Sequence, residues 1–226
     1  MMDAMTENSI RQEQIESFGR LMAGFSHDMK NHLGIIRESN GLMGDIIEMN
    51  VLGEDETTIQ RLKKAISSIE RRVCIAAIML QHLSGLAHRS DTPCSSFLVN
   101  DLLTEECTFL ERFARLKQVK QVVEPGEDLP SVYNDPSLLQ HIIYRAYLLC
   151  LEQLNPNQSL VIITGRNGKN VTITFRLNGI SQGSLETVSF NNLLPAIEKL
   201  EGTLKKGGEN HNEITLTIPS LSVAEQ

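Results

Sequence analysis

Tryptophan is absent from the 226 residues, and with three tyrosines and seven phenylalanines the aromatic share is only 4%. Alongside eight methionines and 41% hydrophobic residues, that scarcity suits packed helices better than a β-sandwich. No run of eighteen apolar residues occurs and the opening MMDAMTENSIRQEQIESF is polar, so neither a membrane span nor a signal peptide is expected. A cytoplasmic protein follows from that reading. Lysine and arginine nowhere cluster, and a net charge of -7 argues against nucleic acid as principal partner, because phosphate binding needs concentrated cations. Cys74, Cys94, Cys107 and Cys150 form no C-x-x-C pair, which points to reduced thiols in a core rather than a zinc site.

What is present is a helical period. Phe18, Met22, Phe25, Met29, Leu33 and Ile36 recur at three- and four-residue steps and predict the buried stripe of a long helix from about Ile10 to Asn50. His27 lies roughly 200° around the helix from that stripe and should face water. Ala23, Gly24, Lys30, Asn31 and, a turn further, Gly34 surround it, leaving open space beside the imidazole. Each mid-helix glycine costs about 0.5–1 kcal/mol relative to alanine, a loss that clearance for a docking partner would offset.

VLGEDET breaks the period, with Gly53 as a C-terminal cap, and a second helix runs from about Thr57 to His88 on Ile59, Leu62, Ile66, Ile69, Val73, Ala76, Ala77, Leu80 and Leu83. Ile75, Ile78 and Met79 widen its apolar face beyond what one partner helix covers. A second copy of the hairpin is the natural cover, so the pattern predicts a homodimeric four-helix bundle. RSDTPCSS, Arg89 to Ser96, reads as a linker, dividing a helical hairpin (1–90) from a mixed α and β domain (91–226). There the pattern predicts a short strand at Phe97 to Val99 and a helix capped by Asn100 and ending near Leu116. QVKQVVE follows as a strand. A helix capped by Asn134 or Asp135 has Pro136 at its first position. Leu160 to Thr164 and Val171 to Leu177 form a hairpin around GRNGKN. A helix from Asn192 to Leu200 and the strands TLKK and EITLTIP close the domain, with SLSVAEQ as a tail.

FSHDMKNHLGII, around His27, resembles the phosphoacceptor box of two-component sensor histidine kinases. In that family the histidine is followed directly by an acid and, four positions on, by Asn or Thr; those positions here are Asp28 and Asn31. LPSVYNDPSLLQHIIYRAYLL is similar to the family's N-box helix with its lead-in. VTITFRLNGISQG resembles the strand and first glycine box, and LEGTLKKGGENHNEITLTIP the terminal strands. The implied fold class is α+β: a long hairpin forming a dimeric bundle, then an α/β sandwich of the histidine kinase ATPase type. The sequence departs from the family where nucleotide chemistry resides. Arg145 and Leu149 stand where the family has two asparagines, one of them a magnesium ligand, and Leu177 replaces the aspartate that holds the adenine. ISQGSLETVSFNN is a short stretch in place of a glycine-rich lid. Neither guanidinium nor leucine offers magnesium an oxygen.

The resemblance therefore implies a degenerate ATPase domain and a histidine phosphotransfer protein. His27 would exchange phosphoryl groups with response-regulator aspartates, Asp28 would set the imidazole tautomer, and Lys30 and Asn31 would face the phosphate or an attacking water. No cofactor of its own is expected; magnesium would come with the receiver domain. His32 lies five positions from His27, about 140° around the helix, so the two make no metal pair. Other readings are a divergent ATP-dependent kinase, or a non-catalytic pseudokinase that binds a regulator or kinase. In either ATP-free reading, Tyr144, Arg145 and Tyr147 are the side chains expected to fill the nucleotide cleft.

Overall fold

The computed structural model describes residues 4–48, 56–181, 183–208 and 210–220. Its elements run α1 (Ala4–Glu48), α2 (Glu56–His88), β1 (Ser95–Phe97), α3 (Val99–Leu116), β2 (Lys120–Glu124), β3 (Val132–Asn134), α4 (Pro136–Glu152), β4 (Ser159–Asn167), β5 (Asn170–Asn178), α5 (Leu194–Lys199), β6 (Thr203–Gly207) and β7 (Glu213–Pro219). Among the described residues the chain divides into two compact units, 22–84 and 4–21 with 85–220. The proposed cap at Gly53 and the tail from 221 on lie outside the described residues.

In the helical unit, Arg72 donates to His32 Nδ1 at 3.5 Å, and the two residues are equidistant from the connection between α1 and α2, as an antiparallel hairpin requires. The apolar arc of α2 resolves into two stripes of period seven. Thr58, Ala65 and Met79 are buried, while Ile59, Ile66, Val73 and Leu80, one position further round, are about half exposed. On α1 the expected buried stripe is likewise only partly covered: Leu33 is 56% exposed and Phe25 and Met29 are intermediate. One neighbouring helix shields roughly one stripe, and these arcs are broader than that.

The second unit is a two-layer α/β sandwich. Its five-stranded sheet has the order β2-β4-β5-β7-β6, with β2 parallel to β4 and the other pairings antiparallel. Alternation along β5 buries Val171, Ile173, Phe175 and Leu177, and along β7 Ile214, Leu216 and Ile218. Polar residues take the other face, where Thr174 and Thr215 share a hydrogen bond of 3.0 Å. The core also holds Leu138, Leu139, Ile142, Ile143 and Ala146 of α4, each contributing about 1–3 kcal/mol by burial according to size. Asp135 caps α4 by accepting from the Leu138 amide at 2.9 Å, with Pro136 at the first helical position, as the local pattern predicts. β4 and β5 are joined by Gly168-Lys169, and only Gly168 needs positive φ.

Several expectations give way. α1 begins at Ala4 rather than near Ile10, since nothing in MTENSIRQ breaks a helix. Asn100 does not cap α3. That helix starts at Val99, and the Asn100 amide instead donates to the Gly126 carbonyl and accepts from Thr164 Oγ1. The short strand lies at 95–97 and pairs with β3 in a separate two-stranded sheet. Cys107 and Cys150 are buried thiols, but Cys74 and Cys94 are exposed. Among the described residues no helix is long and apolar enough to cross a membrane.

Candidate functional site

His27 stands on α1 in the helical unit with its side chain 57% exposed, whereas the Asp28 side chain is 16% exposed. His27 Nδ1 lies 3.2 Å from Asp28 Oδ1 and 3.2 Å from Asn31 Nδ2. The four-residue step on one helix brings Asn31 beside His27, and the Asp28 carboxylate, one position on, reaches the same ring nitrogen. Gly34, one further turn along, would place an added Cβ in open space, so bulk is missing where a partner surface would approach. Lys30 is exposed on the same helix.

Two neighbours at one ring nitrogen have a chemical consequence. A neutral imidazole either donates from Nδ1 to Asp28 or accepts there from Asn31, and cannot do both. The tautomer that donates to Asp28 carries its lone pair on Nε2 and is the nucleophilic form. The one that accepts from Asn31 has its proton on Nε2 and is not. Asp28 and Asn31 thus compete to set the tautomer of His27.

The α/β unit holds the other residues singled out from the sequence. Tyr144, Arg145 and Tyr147, the side chains expected to fill the nucleotide cleft, have partners on α3, α1 and β2. Tyr144 meets the Phe113 ring edge-on, with centroids 6.1 Å apart, on the α3 side of α4. Tyr147 donates to Gln121 Oε1 at 2.7 Å, and Arg145 reaches Glu13 at 3.8 Å. Leu177 is fully buried, its amide and carbonyl both bonded to Asn212. Gly179 follows at φ +90°, and its carbonyl accepts from the Gln158 amide.

Between Gly183 and Asn191 the apolar side chains turn inward while most polar ones stay exposed. Leu185, Val188 and Phe190 are buried, and Lys206 on β6 donates to the carbonyls of Glu186 at 3.0 Å and Val188 at 2.7 Å. The same ammonium lies 5.8 Å from the centre of the Phe190 ring. Sequence reasoning missed this clasp; the closely spaced apolar residues Leu185, Val188 and Phe190 were the available signal. Among the described residues no group of three or more His, Cys, Asp and Glu is arranged to hold a metal ion.

No family model matches the sequence. The chain is 21% identical over 192 residues to the sensor histidine kinase ZraS of Salmonella typhi, an alignment covering 83% of this chain and 38% of that protein. ZraS of Escherichia coli O157:H7 is 20% identical over 181 residues, covering 79% and 37%. The chain therefore spans about two fifths of the length of the curated relatives it matches. Among solved structures it is similar to the histidine kinase AdeS of Acinetobacter baumannii, at 14% identity and TM-score 0.47, over 87% of this chain and 98% of that one. Histidine kinase ThkA in complex with response regulator protein TrrA gives 15% identity and TM-score 0.47, over 97% and 67%. With an H-D-x-x-N sequence on its first helix and 21% identity to ZraS across 83% of its length, the chain is histidine kinase-like in sequence.

Proposed function

We propose that the protein is a histidine phosphotransfer protein of a phosphorelay: a homodimer whose His27 exchanges phosphoryl groups with the aspartates of response-regulator receiver domains, without using ATP. The observation that carries this reading is the stretch after Gly179. Where an ATP-binding relative needs a mobile cover for its nucleotide, Leu185, Val188 and Phe190 are buried and Lys206 fastens the backbone. Leu177, Arg145 and Leu149 add that adenine and magnesium would find no oxygen at the positions that should supply one. The residues present do not fit that nucleotide and its metal.

In the transfer, the Nε2 lone pair of His27 attacks phosphorus and the bond to the receiver's aspartate oxygen breaks, returning a carboxylate. The Nδ1 proton stays shared with Asp28, which offsets the imidazolium charge. Magnesium belongs to the receiver's acidic pocket, and the second unit acts as a docking surface. The response-regulator complex of ThkA supports the choice of partner. The half-exposed apolar stripe of α2 supports the dimer.

The test mixes the protein with a receiver domain carrying labelled phospho-aspartate. Acid-labile label should appear on the wild type and not on His27→Ala; its failure to reach the protein from any receiver of the same cell sinks the proposal. A second reading, a divergent ATP-dependent kinase, is favoured by the kinship to ZraS across most of the chain. Calorimetry with ATP and magnesium separates the two, because micromolar binding would favour the kinase.

A further inference from the structure

In the α/β unit, the first turns of α1 and the end of α2 lie over α3 and α4 and enclose a cavity of about 480 Å³. Ile15, Phe18, Leu21 and Leu86 supply its apolar wall, while Glu106 of α3 and Gln140 of α4 contribute polar groups. Glu106 is 0% exposed and Gln140 8% exposed. Both carboxyl oxygens of Glu106 and the Gln140 carbonyl oxygen have no hydrogen-bond partner among the described residues.

Three buried oxygens without donors are an anomaly in a folded protein, since each such group costs about 1–3 kcal/mol. The cations nearby do not bond these oxygens, although Arg89 Nη1 is itself buried without a partner. Arg89 bonds Glu105, Arg11 at the rim pairs with Glu7, and His141 in the lining is bonded to Ser17. Burial pushes the Glu106 carboxyl well above its ordinary range, with the charge of Arg89 offsetting part of that. The cavity has the volume of a small-molecule site and the same composition, mostly apolar with a few convergent polar groups.

We infer that this cavity binds a small molecule with an apolar body and an amine head. The ammonium donates to Glu106 and Gln140 and restores the missing charge partner, while the body covers Phe18, Leu21 and Leu86. A carboxylate or phosphate of the same shape brings only acceptors to the unpartnered oxygens of Glu106 and Gln140 and, with the Tyr144 hydroxyl of the lining as its donor, binds more weakly than the amine. This inference does not depend on phosphoryl transfer at His27.

The experiment titrates the full chain by calorimetry with naphthylmethylamine, naphthylmethanol and naphthoate, three probes of one shape and different heads. The amine should bind at least about tenfold more tightly than naphthoate, with the alcohol between, a factor equal to about 1.4 kcal/mol. Glu106→Gln keeps the shape and removes the acid, and should erase the preference for the amine. Ala87→Trp fills the mouth of the cavity from an exposed position, so it should abolish binding without disturbing the core. Absence of amine binding, equal affinity for amine and naphthoate, a preference surviving Glu106→Gln, or binding surviving Ala87→Trp would each overturn the assignment.

Discussion

Ser17 Oγ on α1 and His141 Nδ1 on α4 stand 3.0 Å apart, both residues buried. The Ser17 hydroxyl already donates to the Glu13 carbonyl at 2.8 Å, so His141 must be the donor of the pair and its neutral Nδ1–H form the one that fits. Burial, and after it the charge of Arg145, lowers the His141 pKa to about 4. The unfolded chain would therefore bind a proton near the usual pKa of 6.5 while the folded chain refuses it. Stability contributed by His141 is complete above about pH 6.5 and is lost as pH falls toward about 4, by about 3 kcal/mol at most. Urea unfolding at pH 7 and at pH 4.5 should show that loss in the wild type and a smaller one in His141→Gln.

Lys206 should matter to the fold out of proportion to its exposure. Removing its ammonium leaves the carbonyls of Glu186 and Val188 without their donor and uncouples Leu185, Val188 and Phe190 from β6. Lys206→Met keeps the stem and should cost about 1–3 kcal/mol, most of it from the two hydrogen bonds to a charged group. Hydrogen exchange along 184–190 is the decisive readout. If amides there exchange no faster in the variant, Lys206 is not what holds the stretch down.

The same contrast between near and distant partners explains what was legible in the sequence. His27, Asp28 and Asn31 were readable as a unit, because all three lie within one span of five residues on a single helix. Asp135 and Pro136 were readable for the same reason, since a cap is written within four residues. Asn100 looked like a cap too, but Gly126 and Thr164 compete for its amide from far along the chain, and no local pattern announces them. The hydrogen bond from Tyr147 to Gln121 of β2 spans 26 residues and is visible only in the fold. Glu106 gave no warning at all: its burial is visible only once α3 and α4 are packed.

The competition for His27 Nδ1 gives opposite effects for two substitutions. Asp28→Asn removes the group that draws the proton to Nδ1 and should slow phosphoryl uptake from a labelled receiver by about a hundredfold. Asn31→Ala removes the competing donor, raises the share of the nucleophilic tautomer and should leave uptake equal or faster. Nitrogen-detected NMR of labelled His27 adds a readout that a merely structural role would not move. The tautomer ratio should shift toward Nε2–H in Asp28→Asn and toward Nδ1–H in Asn31→Ala.

The apolar stripe of α2 leads to a test of assembly. Ile59, Ile66, Val73 and Leu80 recur every seven residues and remain 45–53% exposed, a spacing that lets one further helix lie along all four. In a two-fold dimer each residue of the stripe is used twice, so a charge at Val73 is introduced on both sides of the same seam. Val73→Glu should weaken self-association by at least about a hundredfold, as two buried carboxylates replace two apolar contacts. Lys64→Glu, on the far side of α2, changes charge in the same direction and should leave assembly intact. Sedimentation equilibrium on the full chain reads both; a wild type that stays monomeric at tens of micromolar, or a Val73→Glu variant as dimeric as wild type, would mean that the stripe faces something other than its own copy.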